Sequence, residues 1–228
     1  MTKTLALSLA LAGMLLSTAQ AQTAAAPTAP AAAPAPSGAG DSRVAMCIGC
    51  HSIPGYQASF PQVYKVPMIS GQSQKYLEAA LQAYKKGDRK HPTMHGVAAS
   101  LGDQDITFVA AHYAQQTPAE AAPAPATPPA ASAEVAALLT KGACASCHGA
   151  NFSKPLDPSY PKLAGQHPDY LFAALKAYHT ENNASVGRNN AIMGAQVKQF
   201  SNAELKAIAN YIGSLPGELY TVPQSRFR

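Results

Sequence analysis

Cys47-Ile48-Gly49-Cys50-His51 and Cys144-Ala145-Ser146-Cys147-His148 are two copies of Cys-x-x-Cys-His, and together they use all four cysteines of the 228-residue chain. On one helical turn, positions i, i+3 and i+4 share a face. Two thiols can therefore meet the vinyl groups of a haem while the adjoining imidazole reaches its iron. The repetition points to two haem c groups, attached through Cys47, Cys50, Cys144 and Cys147, with His51 and His148 as iron ligands. A zinc site would pair Cys-x-x-Cys units across roughly 15 to 20 residues and needs no adjoining histidine, whereas these copies lie 97 apart. A thioredoxin-like dithiol needs a single redox pair in a βαβ context, and a disulfide framework would not repeat the histidine.

Outward from the motifs the chain repeats itself. Pro67, Gly71-Gln72 and Tyr76-Leu77 are answered by Pro161, Gly165-Gln166 and Tyr170-Leu171 at a constant offset of 94, the mark of internal duplication. Leu77, Ala80, Leu81 and Tyr84 form an i, i+3, i+4, i+7 stripe, and Leu171, Ala174, Leu175 and Tyr178 form its counterpart. A last helix starting near Asp103 turns Ile106, Val109, Ala110 and Tyr113 inward. Its counterpart follows the capping box Ser201-Asn202-Ala203-Glu204 and turns in Leu205, Ile208, Ala209 and Ile212. No run alternates with period two for long, so strands are expected to be few or absent and the fold class is all-α.

Ala26 to Ala39 and Pro118 to Ala131 are alanine- and proline-rich and too poor in other apolar residues to bury a core. The expected organisation is a leader over 1–21, an Ala/Pro-rich segment over 22–40, domains over 41–117 and 133–215 joined by a linker over 118–132, and a tail over 216–228. Each domain has fewer than about 100 residues, where a covalent cofactor supplies apolar centre that a small core lacks. In the leader, Lys3 precedes an apolar run from Leu5 to Leu16, and Ala19-Gln20-Ala21 suits cleavage after Ala21. That run is shorter than the roughly 20 residues of a membrane span, and no later segment approaches it. The expectation is an exported, periplasmic protein without a span in its mature form, with peripheral association or a retained leader as the other arrangements. The net charge of +5 includes Lys3, and four ionised haem propionates would bring the remainder near neutrality. No basic stripe interleaves with aromatics, so nucleic acid is not an expected partner.

A haem with one histidine is either open for chemistry or closed by a second ligand. Met94 lies 43 residues after His51, and Met193 lies 45 after His148, each in a loop ahead of its domain's last helix. They are the methionines at equivalent positions and are read as the distal iron ligands; Met46 and Met68 are read as core filling. A thioether favours ferrous iron relative to a second imidazole, which suits reversible electron transfer. His91 and His95 flank Met94 and are the competing ligands at that iron.

These residues resemble class I cytochromes c, and the duplication resembles the dihaem cytochrome c4 family across roughly Asp41 to Leu215. Pro161 to Gln166 is similar to that family's proline loop, whose backbone carbonyl accepts the Nδ1 proton of the proximal histidine; Pro67 and Pro161 are the matching positions. Such a bond orients the ring and raises the basicity of the ligand. The resemblance implies two tandem class I cytochrome c domains, each wrapped around one covalent haem c, with propionates facing across the interface. It implies an electron carrier between a quinol-oxidising complex or dehydrogenase and a terminal oxidase. A dihaem subunit of a dehydrogenase is the alternative, and a dihaem peroxidase, which needs an open iron, a more remote one.

Three departures from the family pattern stand out. The first domain has only Asp41 to Met46 ahead of Cys47, a truncated first helix, whereas Ser132 can cap a helix from about Ala133 to Thr140. The linker could span roughly 40 Å if extended as polyproline, so connectivity does not enforce haem contact. The tail has no counterpart in the first domain and is expected to fray, with a docking peptide at Arg226-Phe227-Arg228 as the alternative. Lys85, Lys86, Arg89 and Lys90 precede Met94. They are expected to dock an acidic partner on the first domain and to favour ferrous iron at the first haem.

Overall fold

The stripes read from the sequence lie on helices, with Tyr178 at the C-terminal cap of its helix. The computed structural model describes residues 42–224; the leader, the 22–40 segment, Asp41 and the terminal 225–228 lie outside the described residues. Among the described residues there are nine α-helices and four two-residue strands. The first lobe contains α1 (Ala45–His51), α2 (Gln74–Lys86), α3 (Pro92–Ala99) and α4 (Asp103–Gln115). The second contains α5 (Ala133–Lys141), α6 (Cys144–His148), α7 (Pro168–Ala177), α8 (Ala191–Val197) and α9 (Asn202–Ser214). The strands are β1 (Gln57–Ala58), β2 (Tyr64–Lys65), β3 (Arg89–Lys90) and β4 (Gly187–Arg188).

In the first lobe α2 packs on α4, and Leu77 shares a buried cluster with Val109, Ala110 and Tyr113. Helix α2 ends at Gly87, whose φ of +83° is the left-handed conformation that stops a helix. In the second lobe α7 packs on α9, and Leu171, Val197, Leu205, Ile208 and Ile212 form the core. Burial of side chains such as Leu205 and Ile208 contributes about 1.5–3 kcal/mol each. Ser201 Oγ accepts from the Glu204 N–H at 3.3 Å while Glu204 Oε2 accepts from the Ser201 N–H at 2.7 Å, closing the capping box of α9. Ser132 Oγ likewise accepts from the Val135 N–H at 3.3 Å to start α5.

The two lobes are knitted together by paired bonds. Gln72 and Gln166 are each only 4% exposed. The Gln166 amide accepts from the Met68 N–H at 3.0 Å and donates to the Met68 carbonyl at 2.8 Å. The Gln72 amide does the same with Lys162, at 2.9 and 3.0 Å. Gln72 to Gln166 and Met68 to Lys162 are both steps of 94, so the repeat seen in sequence becomes a reciprocal contact. Strand β3 pairs antiparallel with β4, setting Arg89 opposite Arg188 and Lys90 opposite Gly187.

The tail departs from expectation. Leu219 is buried, the Tyr220 N–H donates to the Ser70 carbonyl at 3.0 Å, and Glu218 pairs with Lys162 at 2.8 Å. The described part of the tail thus lies across both lobes instead of fraying. Gly71 makes room for it: its φ is +79°, and a Cβ there would run into the Glu218 carbonyl oxygen. The linker does not extend freely either. Tyr211 Oη donates to the Pro129 carbonyl at 2.8 Å and Asn151 Nδ2 to the Pro125 carbonyl at 3.0 Å, tacking it onto the second lobe.

Replacing Gln166 by Leu orphans the Met68 N–H and carbonyl at the lobe interface. Chemical denaturation of the holoprotein is expected to show a loss of about 2 kcal/mol, within the range for buried unsatisfied groups. An unchanged midpoint would mean that Gln72, the strand pair and the tail hold the lobes without Gln166.

Candidate haem sites

Helix α1 places Cys47, Cys50 and His51 on one face, and α6 does so for Cys144, Cys147 and His148. The approach differs: the chain runs from a short 3-10 turn at Ser42–Val44 straight into α1, whereas Ala143, in the left-handed region at φ +45°, breaks α5 from α6. Both histidines are buried. His51 Nδ1 lies 2.9 Å from the Pro67 carbonyl oxygen and His148 Nδ1 lies 3.1 Å from that of Pro161. A carbonyl only accepts, so each Nδ1 carries the proton and each neutral ring keeps its Nε2 lone pair for a metal. Burial pulls both imidazoles below their ordinary pKa, only partly opposed by the proline carbonyls. The neutral form required of an iron ligand is the one the fold selects.

Burial likewise pushes the Cys47 thiol up to about 11 and raises that of Cys144. In the loaded protein these sulfurs are thioethers, neutral groups that apolar surroundings do not penalise. Among the described residues no group of three or more His, Cys, Asp or Glu side chains is placed to share a metal ion.

Each motif opens on an apolar cavity. The first, about 320 Å³, is lined by Cys47, Cys50, His51, Pro67, Met94 and Leu81 among others. The second, about 300 Å³, is lined by Cys144, Cys147, His148, Pro161, Met193 and Leu175 among others. Volumes of this order hold a ligand of many atoms, and the donor set of sulfur, imidazole and thioether matches haem c. Tyr76, Arg89, Pro161, Tyr170 and Leu171 line both cavities, so the two sites adjoin.

The structure assigns the methionine segments to short helices, where the sequence reads as loop. Met94 and Met193 both stand at the third position of a helix, and each backbone N–H donates to the capping side chain: to His91 Nδ1 at 3.3 Å and to Asn190 Oδ1 at 2.9 Å. Gly96 and Gly194 weaken the helical pattern, which hid these turns. Of the competing histidines, His91 lines the first cavity, but its Nδ1 accepts the cap, so the proton of the neutral ring sits on Nε2; His95, with Nδ1 2.8 Å from the Tyr84 carbonyl oxygen, is not among the residues lining that cavity.

The basic stretch ahead of Met94 is not one exposed patch. Arg89 is 9% exposed, Lys85 donates to the Leu101 carbonyl at 2.7 Å, and Lys90 reaches across to the Asn183 carbonyl at 2.7 Å. Because Arg89 lines both cavities, its charge does not single out the first haem. Sequence reasoning missed the cluster around it. Repeated Tyr76/Tyr170 and Arg89/Arg188 pairs, at steps of 94 and 99, were the available signal.

Two helical lobes, each with a thioether-forming Cys-x-x-Cys-His turn beside an apolar cavity and a proline carbonyl behind the histidine, define a dihaem class I cytochrome c. The cytochrome c family model matches residues 132–216. Cytochrome c4 of Azotobacter vinelandii is 30% identical over 194 residues, covering 78% of this chain and 88% of the relative. The thiosulfate dehydrogenase electron acceptor of Thiomonas intermedia is 28% identical, covering 78% of this chain and 82% of the relative. The solved structure of Acidithiobacillus ferrooxidans cytochrome c4 superposes with a TM-score of 0.57 at 29% identity, covering 75% of this chain and 99% of that one. The chain belongs to the cytochrome c4 family. It is a dihaem electron carrier, not an enzyme, with haem c bound covalently at Cys47/Cys50 and Cys144/Cys147.

Asn190→Ala removes the cap on the Met193 turn and is expected to cost about 1 kcal/mol of holoprotein stability, with partial loss of the far-red band of Met-ligated ferric haem. His91→Asn, which supplies the cap of the second lobe to the first, should keep that band at full strength. Loss of the band in His91→Asn would show that the imidazole does more there than cap.

Proposed function

We propose that this protein is a periplasmic carrier in which His51 with Met94, and His148 with Met193, complete the axial coordination of two irons. Bound haem supplies a reversible one-electron ferric/ferrous couple. The chain's part is to hold the imidazole Nδ1 protons on Pro67 and Pro161, to present a thioether from a capped helical turn, and to exclude water with apolar walls. The observation that carries the reading is that each cavity is lined by a histidine fixed through a proline carbonyl and by a methionine from an N-capped turn, Met46, Met68 and His91 also lining the first. Residues 41–117 and 133–215 serve as the two haem domains in this reading, with 118–132 as linker.

The donor is a quinol-oxidising complex or a dehydrogenase, and the acceptor a terminal oxidase. Similarity to a relative named as a thiosulfate dehydrogenase electron acceptor supports a dehydrogenase as donor. Among the described residues no helix is long and apolar enough to cross a membrane.

Optical spectra of the purified holoprotein test the ligation. The oxidised protein is expected to show the far-red band of Met-ligated ferric haem, and carbon monoxide should change the reduced spectrum little. Met94→Ala should open one haem to carbon monoxide and Met193→Ala the other, each with loss of about half the far-red band. Ready binding of carbon monoxide by the unaltered protein would overturn the closed-site reading and favour a ligand-binding or enzymatic role.

A further inference from the structure

Pairing of β3 with β4 sets Arg89 opposite Arg188 in the seam between the lobes. Like charges facing each other on a ladder are destabilising, and a guanidinium removed from water without a counter-charge is more so. Arginine stays protonated in proteins, so the charge cannot be shed. Neither arginine takes part in an ion pair among the described residues.

Their partners are phenols. Arg89 Nη2 donates to Tyr170 Oη at 2.6 Å and Arg188 Nη2 donates to the same oxygen at 3.1 Å. Arg89 Nη1 donates to Tyr76 Oη at 3.3 Å. The Arg89 guanidinium lies 4.5 Å from the Tyr84 ring centre, and that of Arg188 lies 5.4 Å from the centre of Tyr178, the residue 94 positions on from Tyr84. Arg89 Nε is buried with no partner at all. Burial would raise the Tyr170 phenol, yet the two guanidiniums overcome it and bring it down to about 8. Two cations and a polarised phenol thus form a site built for an anion that the polypeptide does not supply.

The cavities show where the anion belongs. Arg89 and Tyr170 line both, whereas Arg188 lines the second alone. Each attached haem brings two carboxylates into its cavity. We infer that Arg89, Tyr170 and Arg188 form a single seat for haem propionates, with Arg89 serving both haems and Arg188 serving the second. Charge-assisted hydrogen bonds from guanidinium to carboxylate are the strong kind, and they satisfy both the spare donors and the unpaired charge. The strand pair has a purpose in this reading: it holds the two cations at the one place where both cofactors can reach them. This rests on the two attached haems and on neither the distal ligands nor the partners proposed above.

Removing a cation near an iron stabilises its ferric form and lowers its reduction potential. The test measures both potentials of the holoprotein, assigned to their haems by the shifted haem-methyl resonances, together with the propionate bending bands in resonance Raman spectra. Arg89→Gln is expected to lower both potentials and shift the bending bands of both haems. Arg188→Gln should do so at the second haem alone, Arg89→Lys should restore most of the Arg89→Gln loss, and the exposed-charge control Lys86→Gln should move neither. Should Arg89→Gln fail to fold, Tyr170→Phe removes the oxygen that joins the guanidiniums and is expected to shift bending bands at both haems. The inference is overturned if Arg89→Gln, or Tyr170→Phe in its place, alters one haem only or leaves the bands unmoved, or if Arg188→Gln acts equally on both. The far-red band, read on the same samples, reports methionine ligation separately, so failure of the seat and failure of the closed-site reading are told apart.

Discussion

An imidazole buried among apolar side chains keeps a lone pair free for a metal only if its other nitrogen has somewhere to send its proton. In both lobes that place is a proline carbonyl, and much of the local architecture follows from it. Proline cannot donate a backbone hydrogen bond and restricts its own φ, so the segments at Pro67 and Pro161 run extended past the haem turn with their carbonyls turned to His51 and His148. Gly71 and Gly165, at φ +79° and +76°, then fold the chain back so that their N–H groups reach the ends of α4 and α9, at the Tyr113 and Ile212 carbonyls. The proline segment is thereby anchored to the last helix of its own lobe. A ring held in this way is fixed in tautomer and orientation.

The same segments make the interface. Gln72 and Gln166 directly follow those glycines, and their amides bind the backbone of the opposite lobe beside Pro67 and Pro161. A displacement of one lobe against the other would therefore disturb the carbonyls that fix His51 and His148. Buried polar contacts of this kind are expensive when half satisfied and specify one arrangement when complete, and here both amides use donor and acceptor. The lobes are consequently held in register where a purely apolar seam would let them slide.

The sequence was legible where a periodicity or a motif maps onto one local geometry. Both Cys-x-x-Cys-His turns, the stripes of α2 and α7, the box at Ser201 to Glu204 and the cap at Ser132 are of that kind, because each depends on residues within about two helical turns. The distal helices were not read, since Gly96 and Gly194 lower local propensity and the caps that compensate, His91 and Asn190, are ordinary loop residues until the following N–H is seen to point at them. The basic run before Met94 misled because charge in sequence carries no burial: Arg89 is turned inward by pairing with a strand nearly a hundred residues away. The tail misled for a related reason. Its docking depends on the lack of a Cβ at Gly71 and on Lys162 opposite Glu218, neither of which is near it in the chain.

The duplication is not exact, and its flaws lie where the two irons could be made unequal. The loop from His51 to Pro67 is three residues longer than that from His148 to Pro161, and it carries the β1–β2 pair and the exposed Phe60 and Val63. The distal turn is capped by an imidazole in one lobe and by an amide in the other. The shared arginine has an unshared counterpart on one side only. None of these differences touches the thioether cysteines or the proline carbonyls, so attachment and the histidine–carbonyl bonds stay equivalent while rim, methionine turn and charge diverge. A carrier with two identical sites has no internal gradient. One that varies only the surroundings of a common core can set the order in which its irons fill without altering the coordination chemistry of either.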